Sequence, residues 1–196
     1  MIVSLGVFSV VVTIAVGALL ILVASNRQLQ TEQSVLSNLG FAIDSMTREI
    51  RTGTYYNCLS NDLPGMTSSS YDQDTLDFDT NDCSDGNDSG HQTQGISFVE
   101  GGDSLTGGAS RVMYYFNSVD GNLYRRIGSG APQSLVGEAI DIRHAEFFVT
   151  GSAPLSDAGE FRQPTVTIVI EAAESDDTAA KVHTIQTTVT QRAIDI

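Results

Sequence analysis

From Met1 to Ala24 the chain carries no charged side chain, and an amphipathic pattern then continues without a break to about Thr52. The leading run reads MIVSLGVFSVVVTIAVGALLILVA, with Ser4, Ser9 and Thr13 as its only hydroxyl residues. As a helix rising 1.5 Å per residue it would span roughly 36 Å, enough to cross a hydrocarbon core of about 30 Å. A cleaved secretory signal has a basic start and a shorter apolar run. A buried core helix has a polar face, which this run lacks. The pattern therefore predicts a membrane-inserted helix half over 1–24. Arg27 is the only nearby basic residue, so charge does not set the orientation.

Beyond it, Leu29, Leu36, Ile43 and Ile50 recur every seven residues, with Leu39 and Met46 between them. Such a stripe is the width of one buried helix face. Leu36, Leu39, Ile43, Met46 and Ile50 are expected to pack on the molecule's own head, and the residues before Leu29 to face partners. Gln30, Asn38, Ser45, Arg48 and Glu49 fall on the other side, with Asp44 four residues ahead of Arg48 in the favourable order. Thr52-Gly53 reads as the stop, Gly53 being suited to a left-handed position past a helix end. Gly17 and Gly40 are the weak points of one helix of about 50 residues, roughly 75 Å long.

After Gly53 the pattern is that of a β protein. Runs at 111–117, 122–127, 140–149, 164–173 and 181–191 are rich in β-branched and aromatic residues and are bounded by Gly, Pro, Asp and Ser. Asp120-Gly121 between the first two is a hairpin signal. The chain is thus expected to be α+β, with segments 1–24, 25–52 and a β-rich head over 53–196. A head of about 140 residues is large enough to bury one core.

Charge changes this picture in one region. Ten acids and no Lys or Arg lie between Thr52 and Ser110, all within an acidic loop region, 57–104, and they supply most of a net charge of −14. An acidic head argues against nucleic acid, whose phosphates demand Lys and Arg. It also argues against an anionic bilayer surface as the head's own partner. Cys58 and Cys83 sit in this region. With the head outside the reducing cytoplasm the two are expected to form a disulfide. Asp79, Asp82, Asp85 and Asp88 supply oxygens at a spacing that could hold calcium, although Cys83 breaks the EF-hand pattern and no Glu closes the loop. Solvated acidic loop is the plainer account of them, and no cofactor is assigned.

The N-terminal block resembles the first helix of type IV pilins and type II secretion pseudopilins. MIVSLGVFSVVVTIAVGALLILVA is similar to the apolar stretch that comes after the family's consensus of Phe, Thr, Leu, Ile and Glu, and LGFAIDSMTREIRTG at 39–53 to the second half of that helix in minor members. MYYFNSVDGNLYRRI at 113–127 looks like the strand–turn–strand of J-type minor pseudopilins and their pilus counterparts. The resemblance implies a pilin-like fold, a long helix packed on an antiparallel sheet. It implies a non-enzymatic minor subunit of a pilus or pseudopilus tip or initiation complex. Implied partners are other pilin-like subunits, an inner-membrane assembly platform, a prepilin peptidase and the lipid bilayer. The implied location is a single-pass membrane protein with an extracytoplasmic head, or an extracellular filament. Ile2, Val3, Leu5, Val7, Phe8, Val11, Val12 and Ile14 are the implied filament-core or membrane contacts. The sequence departs from the family pattern in showing neither its leader nor its glutamate: either both lie ahead of Met1 or this copy lacks them, so no charge-pairing residue is assigned.

Two other classes compete. A membrane-anchored adhesin or sensor needs the same span but no heptad stripe beyond it. Gly102-Asp103-Ser104-Leu105 spells the signature of GDSL esterases, and Asp141 and His144 have the spacing of their triads. That family is built on parallel βα units, for which no helical crossovers are present after Gly53. Residues three apart in a strand are also expected on opposite faces. His91, His144 and His183 stand too far apart to suggest a metal site.

Overall fold

Among the described residues one unbroken helix, α1, runs Ile2–Thr52, and eight strands come after it: β1 Thr54–Cys58, β2 Gly95–Val99, β3 Arg111–Asn117, β4 Asn122–Ile127, β5 Gln133–Ser134, β6 Ile140–Thr150, β7 Thr165–Glu174 and β8 His183–Thr190. This computed structural model describes residues 2–58, 82–83, 94–101, 111–128, 130–152, 163–175 and 180–192. The class is α+β. All strand pairs are antiparallel, and they form two sheets, β1-β2-β3-β4-β5 and β6-β7-β8, where the sequence pointed to one.

Helix α1 passes through Gly17 and Gly40 without interruption. Its last turns lie on β7 and β8, while β6 lies against the first four strands of the other sheet. The buried seam is Val35, Leu39, Ala42, Met46 and Ile50, with Ile43 packed at its margin. Leu36 does not belong to it: Leu36 is 42% exposed and Leu29 53%, whereas Val35 is 3% exposed. The cause is geometric. A seven-residue repeat drifts about 20° per heptad around a straight helix, whereas an eleven-residue spacing nearly returns to the same face. Val35 with Met46, and Leu39 with Ile50, have that eleven-residue spacing.

The helix ends differently from the expected left-handed glycine stop. Gly53 is absent from the described glycines with positive φ, which are Gly121, Gly128 and Gly151. Its amide still donates to Glu49 O at 3.0 Å, as a helical residue would. A glycine is needed because a Cβ there would run into the Phe98 ring. The left-handed residue is Tyr55, at φ 56°. It falls in a bulge, where two residues of β1 oppose one of β2 between the Thr54–Val99 and Asn57–Ser97 pairs. Buried Arg111 secures this bend: its guanidinium donates to Tyr55 O at 2.5 Å and to Ser97 Oγ at 3.3 Å.

Asp120-Gly121 does close a hairpin, between the Asn117–Asn122 pair that ends β3 and begins β4. Its loop is four residues long and Gly121 takes φ 62°, which few side chains tolerate. From that turn, Gly121 O accepts the amide of Ile142 at 2.8 Å, joining the hairpin to β6 in the second sheet. Along β7 the alternation is regular as far as Ala172, with Val166, Ile168, Ile170 and Ala172 inward, and Ala173 after it is buried as well. One continuous core joins these residues to the α1 seam and to Tyr56, Phe98 and Tyr114, whose rings form a ladder across β1, β2 and β3 with centroids 5.9 and 6.0 Å apart.

Candidate functional site

Between Ile2 and Val23 the apolar side chains of α1 cover nothing in the molecule. Ile2, Val3, Leu5, Val7, Phe8, Val11, Val12 and Ile14 are all exposed, as are Leu19 to Val23. Soluble proteins rarely expose a contiguous apolar surface larger than a few hundred Å2. Within this half the Thr13 hydroxyl donates to Ser9 O at 2.8 Å, so that polar group is satisfied by its own helix. Internal satisfaction of this kind is what a hydrocarbon environment demands. This one N-terminal helix is long and apolar enough to cross a membrane.

At its other end the helix is tied to the head. Residues of the final turn have no helical partner for their carbonyls. The Tyr56 hydroxyl lies 2.5 Å from Ile50 O and 2.7 Å from Gly53 O, and its one proton is shared between these two carbonyls. From past β8, Gln191 Nε2 donates to Gly53 O at 2.9 Å and the Arg192 amide to Arg51 O at 2.7 Å. Glu49, whose sequence position suggested the solvent side, turns to the sheet instead. Its Oε2 accepts the Tyr114 hydroxyl at 2.7 Å and pairs with Arg125 Nε at 3.0 Å. Burial first, and then the neighbouring Glu49 carboxylate, hold the Tyr114 hydroxyl above the usual phenol range. Burial alone raises Tyr56. Asp44 and Arg48 pair at 3.2 Å, but both are so exposed that the pair contributes little.

Cys58 and Cys83 form a disulfide, with Cα atoms 6.2 Å apart. Cys58 belongs to β1, while Cys83 pairs through its backbone with Val149 of β6. The bond therefore joins an edge of one sheet to a strand of the other. Asp82, beside it, is fully engaged: its carboxylate accepts the amides of Gly151 and Ser152 at 3.0 and 2.7 Å and the Ser152 hydroxyl at 2.5 Å. It thus braces the turn after β6. Asp79, Asp85 and Asp88 lie outside the described residues. Among the described residues, no group of three His, Cys, Asp or Glu side chains could hold a metal ion.

Gly102 to Leu105, with Ser104, also lie outside the described residues, as does His91. Asp141 and His144 do not stand on opposite faces of β6 as strict alternation would require. A register shift between Ile142 and His144 leaves both half-buried on the face opposite the inward Ile140, Ile142 and Ala145. They do not pair with each other. Asp141 meets Arg143 at 3.0 Å and His144 meets Glu146 at 3.2 Å.

Comparison with known protein families, with curated proteins and with solved structures finds no match to this chain. The residues that sequence reading missed are those that tie helix to head: Val35, Ala42, Glu49, Tyr56, Tyr114, Arg125 and Gln191. Only Val35 and Ala42 had a detectable signal, their eleven- and four-residue spacing from Met46. The others depend on which strand passes the helix end.

Proposed function

We propose that this chain is a minor pilin-like subunit of a type IV pilus or type II secretion pseudopilus. In this reading the apolar half of α1 holds the chain in a membrane, with the head outside the cytoplasm. It then packs against the same half of neighbouring pilin-like subunits in the filament. Lipid chains and neighbouring apolar helices are similar solvents for these side chains, so transfer between them never exposes the surface to water. The carrying observation is that a single helix is bare and apolar over its first half and fixed to the head over its second. A simple anchor needs only the span and tolerates a hinge. A filament subunit must hold its head at a set angle to its rod. The disulfide supports an oxidising compartment for the head.

The test separates assembly from anchoring. Cells producing the chain are sheared, and filaments and membranes are collected and probed for it. The chain is expected in the sheared filaments together with other pilin-like proteins. Asn26→Pro removes a helical hydrogen bond between the two halves and kinks the rod. It should abolish filament incorporation while leaving membrane attachment intact. A chain that stays wholly with the membrane, and behaves alike with and without Asn26→Pro, is instead an anchored adhesin or sensor.

A further inference from the structure

A cavity of about 510 Å3 opens where α1 leaves its apolar half, between the helix and the ends of β7 and β8. Arg27, Glu32 and Val35 line it from the helix, and Glu174, Lys181 and His183 from the sheet. Its volume lies in the range of small-ligand sites. The lining is mostly polar and carries both signs of charge, and the opposite pair Lys181 Nζ and Glu32 Oε2 is loose at 3.9 Å. Lys181 is the only lysine in the chain.

We propose that this cavity seats the phosphoethanolamine headgroup of a phospholipid. The inference rests on the reading that the apolar half of α1 lies in a bilayer. Depth is the first argument. Arg27 is three residues past Ala24, about 4.5 Å along the axis, and Glu32 is about 12 Å past it. The headgroup layer extends roughly 5–8 Å beyond the hydrocarbon on each side, so the cavity mouth and that layer meet. Charge is the second argument. A phosphate diester is held by Arg27 and Lys181, while a primary ammonium reaches Glu32 and Glu174 as a hydrogen-bond donor. A choline headgroup has no N–H to offer the two carboxylates. A phosphoglycerol headgroup brings no cation and meets them as a like charge.

The experiment uses the full chain. It is first offered to nanodiscs of phosphatidylcholine. Insertion is expected, and failure to insert overturns the membrane reading and this inference with it. The inserted protein is then released into micelles containing equal amounts of phosphatidylethanolamine, phosphatidylcholine and phosphatidylglycerol, and the retained lipid is read by native mass spectrometry. One phosphatidylethanolamine per chain should dominate. The double substitution Arg27→Gln, Lys181→Gln should lower its retention about a hundredfold, roughly tenfold for each of the two charge-assisted hydrogen bonds lost. Glu32→Gln should erase the preference over phosphatidylcholine while the circular dichroism stays unchanged. Equal retention of the three lipids by an inserted chain overturns the headgroup site alone, as does retention unaffected by the double substitution. Displacement of the lipid by inorganic phosphate at equal concentration would reassign the cavity to free anions.

Discussion

Glu49 stands in the last turn of α1, where a carboxylate is poorly placed with respect to the helix dipole, whose negative end lies there. Its position is explained by what it reaches: the Tyr114 hydroxyl on β3 and the Arg125 guanidinium on β4. Arg125 is mostly buried, so removing its anion leaves a cation that water serves badly. Glu49→Ala should destabilise the protein by about 1–3 kcal/mol, read by urea unfolding in detergent micelles. Glu49→Gln keeps an acceptor for Tyr114 and should cost less. Tyr114 also makes the protein sensitive to alkali. An unfolded tyrosine ionises near pH 10, whereas this one is held higher by burial and by Glu49. A group with a raised folded pKa contributes stability that is complete below the unfolded value and lost as pH climbs through the folded one. Tm should therefore fall steeply above about pH 10, and Tyr114→Phe should lessen that fall, buried Tyr56 supplying part of what remains. An unchanged slope in Tyr114→Phe would put the alkaline transition elsewhere.

At the scale of elements, the question is which face of α1 the head covers. The seven-residue repeat of leucines and isoleucines is the more conspicuous pattern, but the buried seam runs through Val35, Leu39, Ala42, Met46 and Ile50. The two readings diverge most at Leu36. Met46→Ala should cost about 2–5 kcal/mol, and Leu36→Ala about 0.5 kcal/mol or less. Equal losses at both sites, measured by thermal unfolding, would restore the heptad face. The same contrast marks what the sequence could reveal. The long strands β3, β4, β6, β7 and β8 were legible because each carries its own run of β-branched and aromatic residues. β1 and β2 were not, since TYYNC and GISFV are five-residue segments, and their pairing is set by partners about 40 residues away. β5 is two residues long and exists only as an edge on β4. The glycine after the helix was legible as a stop, but its reason was not. It makes room for the Phe98 ring, and Tyr55 two residues later takes the left-handed turn.

For the whole molecule, the apolar rod was legible because absence of charge over a long run needs no tertiary information. The candidate site was legible in the same part: the exposed apolar half could be read from sequence, whereas its connections to the head could not. The disulfide carries the remaining argument at this scale. Cys58 and Cys83 are 25 residues apart, both fully interior, and they join β1 to the backbone partner of Val149 on β6. Closing a loop of that length should stabilise the fold by about 3–4 kcal/mol through the unfolded chain. The loop is also acidic and poor in apolar residues, so its own burial offers little to replace the bond. Replacing both cysteines by serine, or adding reductant, should lower the urea midpoint by a corresponding amount. If the disulfide chiefly holds the two sheets together, reduction should expose amides of β1 and of β6 near Val149 to hydrogen exchange before those of β7. Uniform loss of protection across both sheets would instead mean that the bond acts only on the unfolded chain. Intact mass with and without reductant provides the control, because two free thiols in the protein taken from its native compartment would remove the bond from the argument altogether.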